Sequence, residues 1–153
     1  MSASAAFALS LATDTLVLGM AARMYVVPRL ASMDPAAIVV PILLLHASRH
    51  SMFLLAWPDG AGDLALAALA LASLGAFKLG SRLARPLLWT FNSCGAAGLL
   101  VGVGRFVASG ATLDGSRAYW VPACWVPALL ATHYVLFMVL ARPQGGLLGQ
   151  RPI

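Results

Sequence analysis

PAAIVVPILLLHASRHSMFLLAW, residues 35–57, decides the fold. The stretch is apolar almost throughout, and a helix needs about 20 such residues to cross the hydrocarbon of a bilayer. Its one fixed charge, Arg49, stands between two histidines, His46 and His50. Asp34-Pro35 opens it, with proline at a first helical position where the missing N–H costs nothing. Pro58-Asp59-Gly60 closes it as a turn.

Four more runs of this kind flank it. The first covers about residues 3–26, is interrupted by Asp14 and ends at Pro28-Arg29. The third covers about 63–79 and ends in Lys78-Leu79-Gly80-Ser81-Arg82. The fourth runs from Pro86 to about 108, and the polar segment 109–118 follows as a loop. The fifth covers about 119–141 and closes at Arg142-Pro143. The expected architecture is all-α: a polytopic membrane protein, one bundle of five transmembrane helices over residues 1–142, with a short tail at 143–153.

Composition agrees with this class and excludes most others. Of the 153 residues, 61% are hydrophobic and 10% charged, against about 45–50% and 25% in soluble domains. That is too little charge to cover a wetted surface. The net charge of +5 does not point to nucleic acid, because a nucleic-acid reader clusters its cations on one wetted face. Here the cations stand singly at the ends of apolar runs. Nine of the ten are arginine, a bias that fits a GC-rich bacterial genome. No cation precedes Arg23, so the charged start of a cleavable signal is missing.

The cations also set a direction. With five spans, one side carries Arg23, Arg29, Lys78, Arg82, Arg85, Arg142 and Arg151, and the other carries Arg105 and Arg117. The positive-inside rule then places the N-terminus outside and the C-terminus in the cytoplasm of a bacterial inner membrane. Trp57, Tyr119 and Trp120 fall near the outer boundary, where interfacial aromatics collect. An odd number of spans argues against a transporter built from inverted repeats.

Within a bilayer, helices associate through close packing of small residues more than through greasiness. The Cys94, Gly98, Gly102 and the Ala68, Ala72, Ala76 spacings read as packed bundle faces, with a dimer face as the alternative. Pro41, Pro122 and Pro127 lie inside spans and each frees a carbonyl.

Ionisable groups at membrane depth are costly and turn inward to partners. Measured from the outer end of each span at about 1.5 Å per residue, Asp14 is roughly 15 Å deep, Arg49 about 12 Å and His46 about 16 Å. His133 is near 20 Å and Asn92 near 24 Å. His46, Arg49 and His50 stand at i, i+3 and i+4 and share one helix face. Asp14 is the one mid-span acid and is expected to pair with Arg49. Asn92 and His133 lie at similar depth and suit an interhelical hydrogen bond. Cys94 and Cys124 differ by about 15 Å in depth and do not suit a disulfide.

Three functions remain. The first is a non-enzymatic membrane protein whose polar cavity, lined by Asp14, His46, Arg49, His50, Asn92 and His133, binds or passes a small molecule or proton. Histidine changes charge near neutral pH, so that activity should depend on pH. The second is an electron carrier with a bis-histidine haem between His46 or His50 and His133. The third is a structural subunit of a homo-oligomer or larger membrane complex. No cofactor is required by the first or third. A His46/His50 metal site lacks a nearby third ligand and is opposed by Arg49. There is no phosphate loop, HExxH or GxSxG, and no mid-span lysine, so enzyme chemistry is disfavoured.

The stretches YVVPRL with PILLLHASRH, WTFNSCGAAGLL, and YWVPACWVPALLATHYVLF resemble a group of small bacterial membrane proteins without an assigned biochemical role. The resemblance covers most of residues 20–140 and implies the five-span layout. It implies no reaction. Members often carry an acid after the asparagine motif, where this chain has Gly98, so a shared polar site in that span is not implied. The translocator/tryptophan-rich sensory family also has five spans in a chain of this size. Its tryptophan-rich motifs are missing here, and the aromatic content is 8%.

Overall fold

The computed structural model describes residues 3–53, 61–108 and 120–142. They form five helical rods, and no strand occurs among them. The first rod is α1 (Ala3–Ala21), a π-helical segment (Ala22–Val26) and α2 (Val27–Leu30). The others are α3 (Pro35–Phe53), α4 (Ala61–Lys78), α5 (Ala84–Ala108) and α6 (Trp120–Leu140). The all-helical class is as expected from the apolar runs. Two windows, Ala5–Leu30 and Ala84–Arg105, are long and apolar enough to cross a membrane. Pro35–Ser48, Leu64–Lys78 and Cys124–Leu140 are shorter apolar stretches.

The first rod runs further than the sequence suggested. Pro28 does not stop it, because the backbone widens to a π-helical turn just before the ring. The Val27 N–H reaches the carbonyl of Ala22, five residues back. Such a turn loosens the ladder where a proline ring would press on it. The Arg29 guanidinium donates to the Tyr25 carbonyl at 2.6 Å, supplying a donor next to the N–H that proline lacks.

Helix ends follow local chemistry. The Asp34 carboxylate accepts from the Ala36 N–H at 3.0 Å and caps α3, with Pro35 as its first residue. At the other end of this stretch of chain, α4 closes on Gly80, whose φ is +62°. The Ser81 N–H donates to the Ala76 carbonyl and the Gly80 N–H to that of Phe77, at 2.9 and 3.1 Å. This paired pattern needs a left-handed residue at Gly80, and glycine takes it without penalty. The Ser81 hydroxyl then accepts from the Leu83 N–H and starts α5.

The chain divides into two compact units. Unit 1 holds residues 1–29 and 96–135, and unit 2 holds residues 30–95 and 136–153. In unit 1, Phe7 and Leu11 are buried and meet Val103 and Val126. In unit 2, α3 packs along α4. Val39, Leu43, Leu88, Phe91, Leu136 and Leu140 are buried there, and the Trp89 and Phe137 rings meet at 5.5 Å.

The small-residue stripes do not behave as tight packing faces. Ala68, Ala72, Cys94, Gly98 and Gly102 are all exposed. A Cβ built on Gly102 would meet no atom within 4 Å. In unit 2, α4 buries Ala70 and Ser73, and α3, α5 and α6 bury the branched and aromatic side chains named above.

Candidate functional site

An apolar helix has no spare hydrogen-bond partners for a polar side chain, so each one must be satisfied locally or inside the fold. Most hydroxyls take the local route. Thr13, Thr15, Ser73 and Thr90 donate to the carbonyls of Leu9, Leu11, Leu69 and Pro86, one turn back, at 2.7–3.0 Å. Imidazoles and amides cannot fold back in this way, and they are the residues found deep in the structure.

His46 lies on α3 in unit 2 and is 2% exposed. Its ring meets Phe91 of α5 edge to face, with centroids 5.4 Å apart and planes at 81°. Asn92, the next residue on α5, is fully buried. Ser73 on α4 is also fully buried. Unit 2 therefore encloses an imidazole, an amide and a hydroxyl, contributed by three different helices.

Unit 1 holds the other two candidates whose side chains are described. His133 on α6 is 2% exposed. Asp14 on α1 is half-buried and accepts from the Ser10 hydroxyl at 3.4 Å, one turn earlier on the same helix. Arg49 and His50 continue α3, but their side chains lie outside the described residues. The Asp14–Arg49 ion pair therefore also lies outside them. Asn92 belongs to unit 2 and His133 to unit 1.

No group of three or more His, Cys, Asp or Glu that could hold a metal occurs among the described residues. Cys94 and Cys124 are free and exposed.

Three features escaped the sequence reading. Phe91 is an ordinary core residue by type, and nothing in WTFN marks it as the ring partner of a histidine. Ser73 is a lone hydroxyl in an alanine- and leucine-rich run, a weak signal that could have been followed. Arg85 read as one of several end-of-span cations. In the structure its Nη2 donates to the Leu140 carbonyl at 3.1 Å, capping the negative end of α6. Its Nη1 is buried and has no hydrogen-bond partner among the described residues.

No curated protein and no solved structure matches this chain. A family model, a domain of unknown function (DUF8737), matches residues 6–141, which takes in all five rods but for the first three residues of α1. The chain belongs to that family.

Proposed function

We propose that this chain is a polytopic membrane protein of five transmembrane helices, with its N-terminus outside and its C-terminus in the cytoplasm of a bacterial inner membrane. Within it, the His46 imidazole and the Asn92 amide form a centre that binds or passes a small molecule or a proton. The observation that carries the proposal is the burial of both groups in one unit of an otherwise apolar helical protein.

Several facts support the membrane part. In the two long apolar windows, only 17% and 22% of residues are buried inside the protein. The core helix of a soluble protein with such composition would be mostly covered. Leu16, Val17, Met20, Leu100 and Val101 are each more than half exposed, a face that suits lipid and not water. The remaining helices have 19, 18 and 21 residues, or about 27–32 Å of rise, close to the hydrocarbon thickness.

The functional part follows from chemistry. A buried imidazole or amide brings donors and acceptors that an apolar side chain of the same shape does not have. Histidine exchanges a proton near neutral pH, and an amide both donates and accepts. Together they can hold a polar guest or relay a proton.

The test is a proton flux assay in proteoliposomes loaded with a pH-sensitive dye, run between about pH 5 and 8. The wild type should conduct with a pH-dependent rate, and His46→Phe and Asn92→Leu should each abolish it. Asp14, Arg49, His50 and His133 are tested as separate variants in the same assay. A flux indistinguishable from empty liposomes at every pH would remove proton passage. Full activity in the double variant H46F/N92L would remove the centre.

A further inference from the structure

The turn joining α4 to α5 combines features that neither the buried centre nor the fold explains. Leu79 is 85% exposed and Leu83 63% exposed. Leu79 has the highest exposure of any large apolar side chain among the described residues. The Gly80 hydrogen-bond pattern fixes the backbone here, so neither leucine can turn in without undoing the end of α4. Around them stand Lys78 and Arg82, both exposed, Arg85, and Arg142 just past the end of α6. Arg85 holds the Leu140 carbonyl, which ties the α4–α5 turn to the end of α6 within unit 2.

No acid stands near these cations in the sequence, and the Asp34 carboxylate, which also belongs to unit 2, caps α3. No acid occurs in the sequence between Asp63 and Asp114, nor after Asp114. None of Lys78, Arg82, Arg85 and Arg142 has an ion-pair partner among the described residues. Arg85 spends one N–H on a neutral carbonyl and keeps its full charge in a half-buried position. A surface of apolar tips set among unpaired cations fits one kind of partner, in which hydrocarbon and negative charge lie side by side.

We propose that the α4–α5 turn and the end of α6 form a docking site for an anionic phospholipid of the cytoplasmic leaflet. Leu79 and Leu83 enter the acyl region. Lys78, Arg82 and Arg142 meet the phosphate, and Arg85 anchors the site and adds its charge from behind. The inference rests on the membrane reading above, because a lipid leaflet must be present beside this turn. It adds what that reading leaves open, namely which lipid and which residues. Guanidinium suits phosphate through paired N–H donors, and juxtamembrane cations each add to the hold on an anionic leaflet.

The experiment reconstitutes the full chain in nanodiscs of equal phosphatidylglycerol and phosphatidylcholine. It then measures by native mass spectrometry which lipid stays bound. The wild type should retain phosphatidylglycerol several-fold over phosphatidylcholine. Lys78→Gln with Arg82→Gln should bring that preference close to one. Leu79→Ser should weaken retention of both lipids. Arg23→Gln with Arg29→Gln removes the same charge from another place on the same side and should lower the preference far less. An equal loss in that control would reduce the site to general charge attraction and overturn it. Displacement by millimolar inorganic phosphate would make it a soluble-anion site and overturn the lipid assignment. Incorporation with equal retention of both lipids would overturn the site alone. Failure to enter bilayers of any composition, with soluble helical protein left behind, would overturn the membrane reading and the site with it.

Discussion

The His46 ring stands edge-on to Phe91, 5.4 Å between centroids and 81° between planes. The contact joins α3 to α5 inside unit 2. The positive edge of one ring meets the negative face of the other, the geometry that aromatic pairs favour. Two roles meet at His46: it fills the core as a ring and it carries exchangeable N–H chemistry. Substitution separates them. His46→Phe keeps the ring and should change stability in detergent by less than about 1.5 kcal/mol. His46→Ala leaves a cavity beside Phe91 and should cost about 2–4 kcal/mol. Both should lose the function assigned to the centre. Denaturation curves for the two variants, set beside the flux assay, check this. If His46→Phe destabilises as much as His46→Ala, the imidazole nitrogens hold the fold and the functional role falls.

Gly80 offers a backbone test that side-chain contacts do not confuse. Its φ of +62° is left-handed, and a Cβ added there would meet nothing within 4 Å. Gly80→Ala should therefore cost only the conformational penalty, about 1–2 kcal/mol. Gly80→Asn should cost less, since asparagine tolerates this region. Thermal denaturation of the two variants gives the order. Equal stability of all three proteins would mean that the turn relaxes and the fixed exposure of Leu79 is lost.

Asp34 caps α3 through the Ala36 N–H. Asp34→Ala should destabilise by about 1 kcal/mol, and Asp34→Ser should recover most of it. The loss should show as faster amide exchange over the first turn of α3, before any change near His46. Uniformly faster exchange along α3 would instead make the cap a condition for the whole helix.

The sequence shows most of the helices and only part of the site. Periodic breakers fixed the start of α3 at Asp34-Pro35 and the end of α4 near Gly80, because capping and left-handed turns depend on a few neighbouring residues. Pro28 misled in the other direction. A local rule ends the helix there, yet the π-helical turn at Ala22–Val26 absorbs the ring and the helix continues to Leu30. The small-residue spacings misled as well. Gly98 and Gly102 share a face by pattern, but a pattern does not say which way a face points, and this one is exposed. Polar residues inside apolar runs led to His46, Asn92 and His133, all buried. Phe91 and the Arg85–Leu140 bond were not legible, because they depend on which helices become neighbours. Residues 85 and 140 lie 55 positions apart.

Cys94 gives a direct reading of what surrounds α5. Its thiol is exposed in the structure and sits well inside the Ala84–Arg105 window. In water such a thiol reacts readily, because reaction needs access and the thiolate form. In hydrocarbon it meets neither a charged reagent nor the solvation that a thiolate requires. With Cys124→Ser removing the second thiol, a charged maleimide should fail to label Cys94 in unsealed membrane vesicles, where both faces are open. The charged maleimide should label it once the membranes are dissolved and the protein denatured. The structure supplies the contrast, since burial within the protein does not account for protection. Rapid labelling by the charged reagent in intact membranes would place this face of α5 in water and remove the lipid-facing assignment of the whole window.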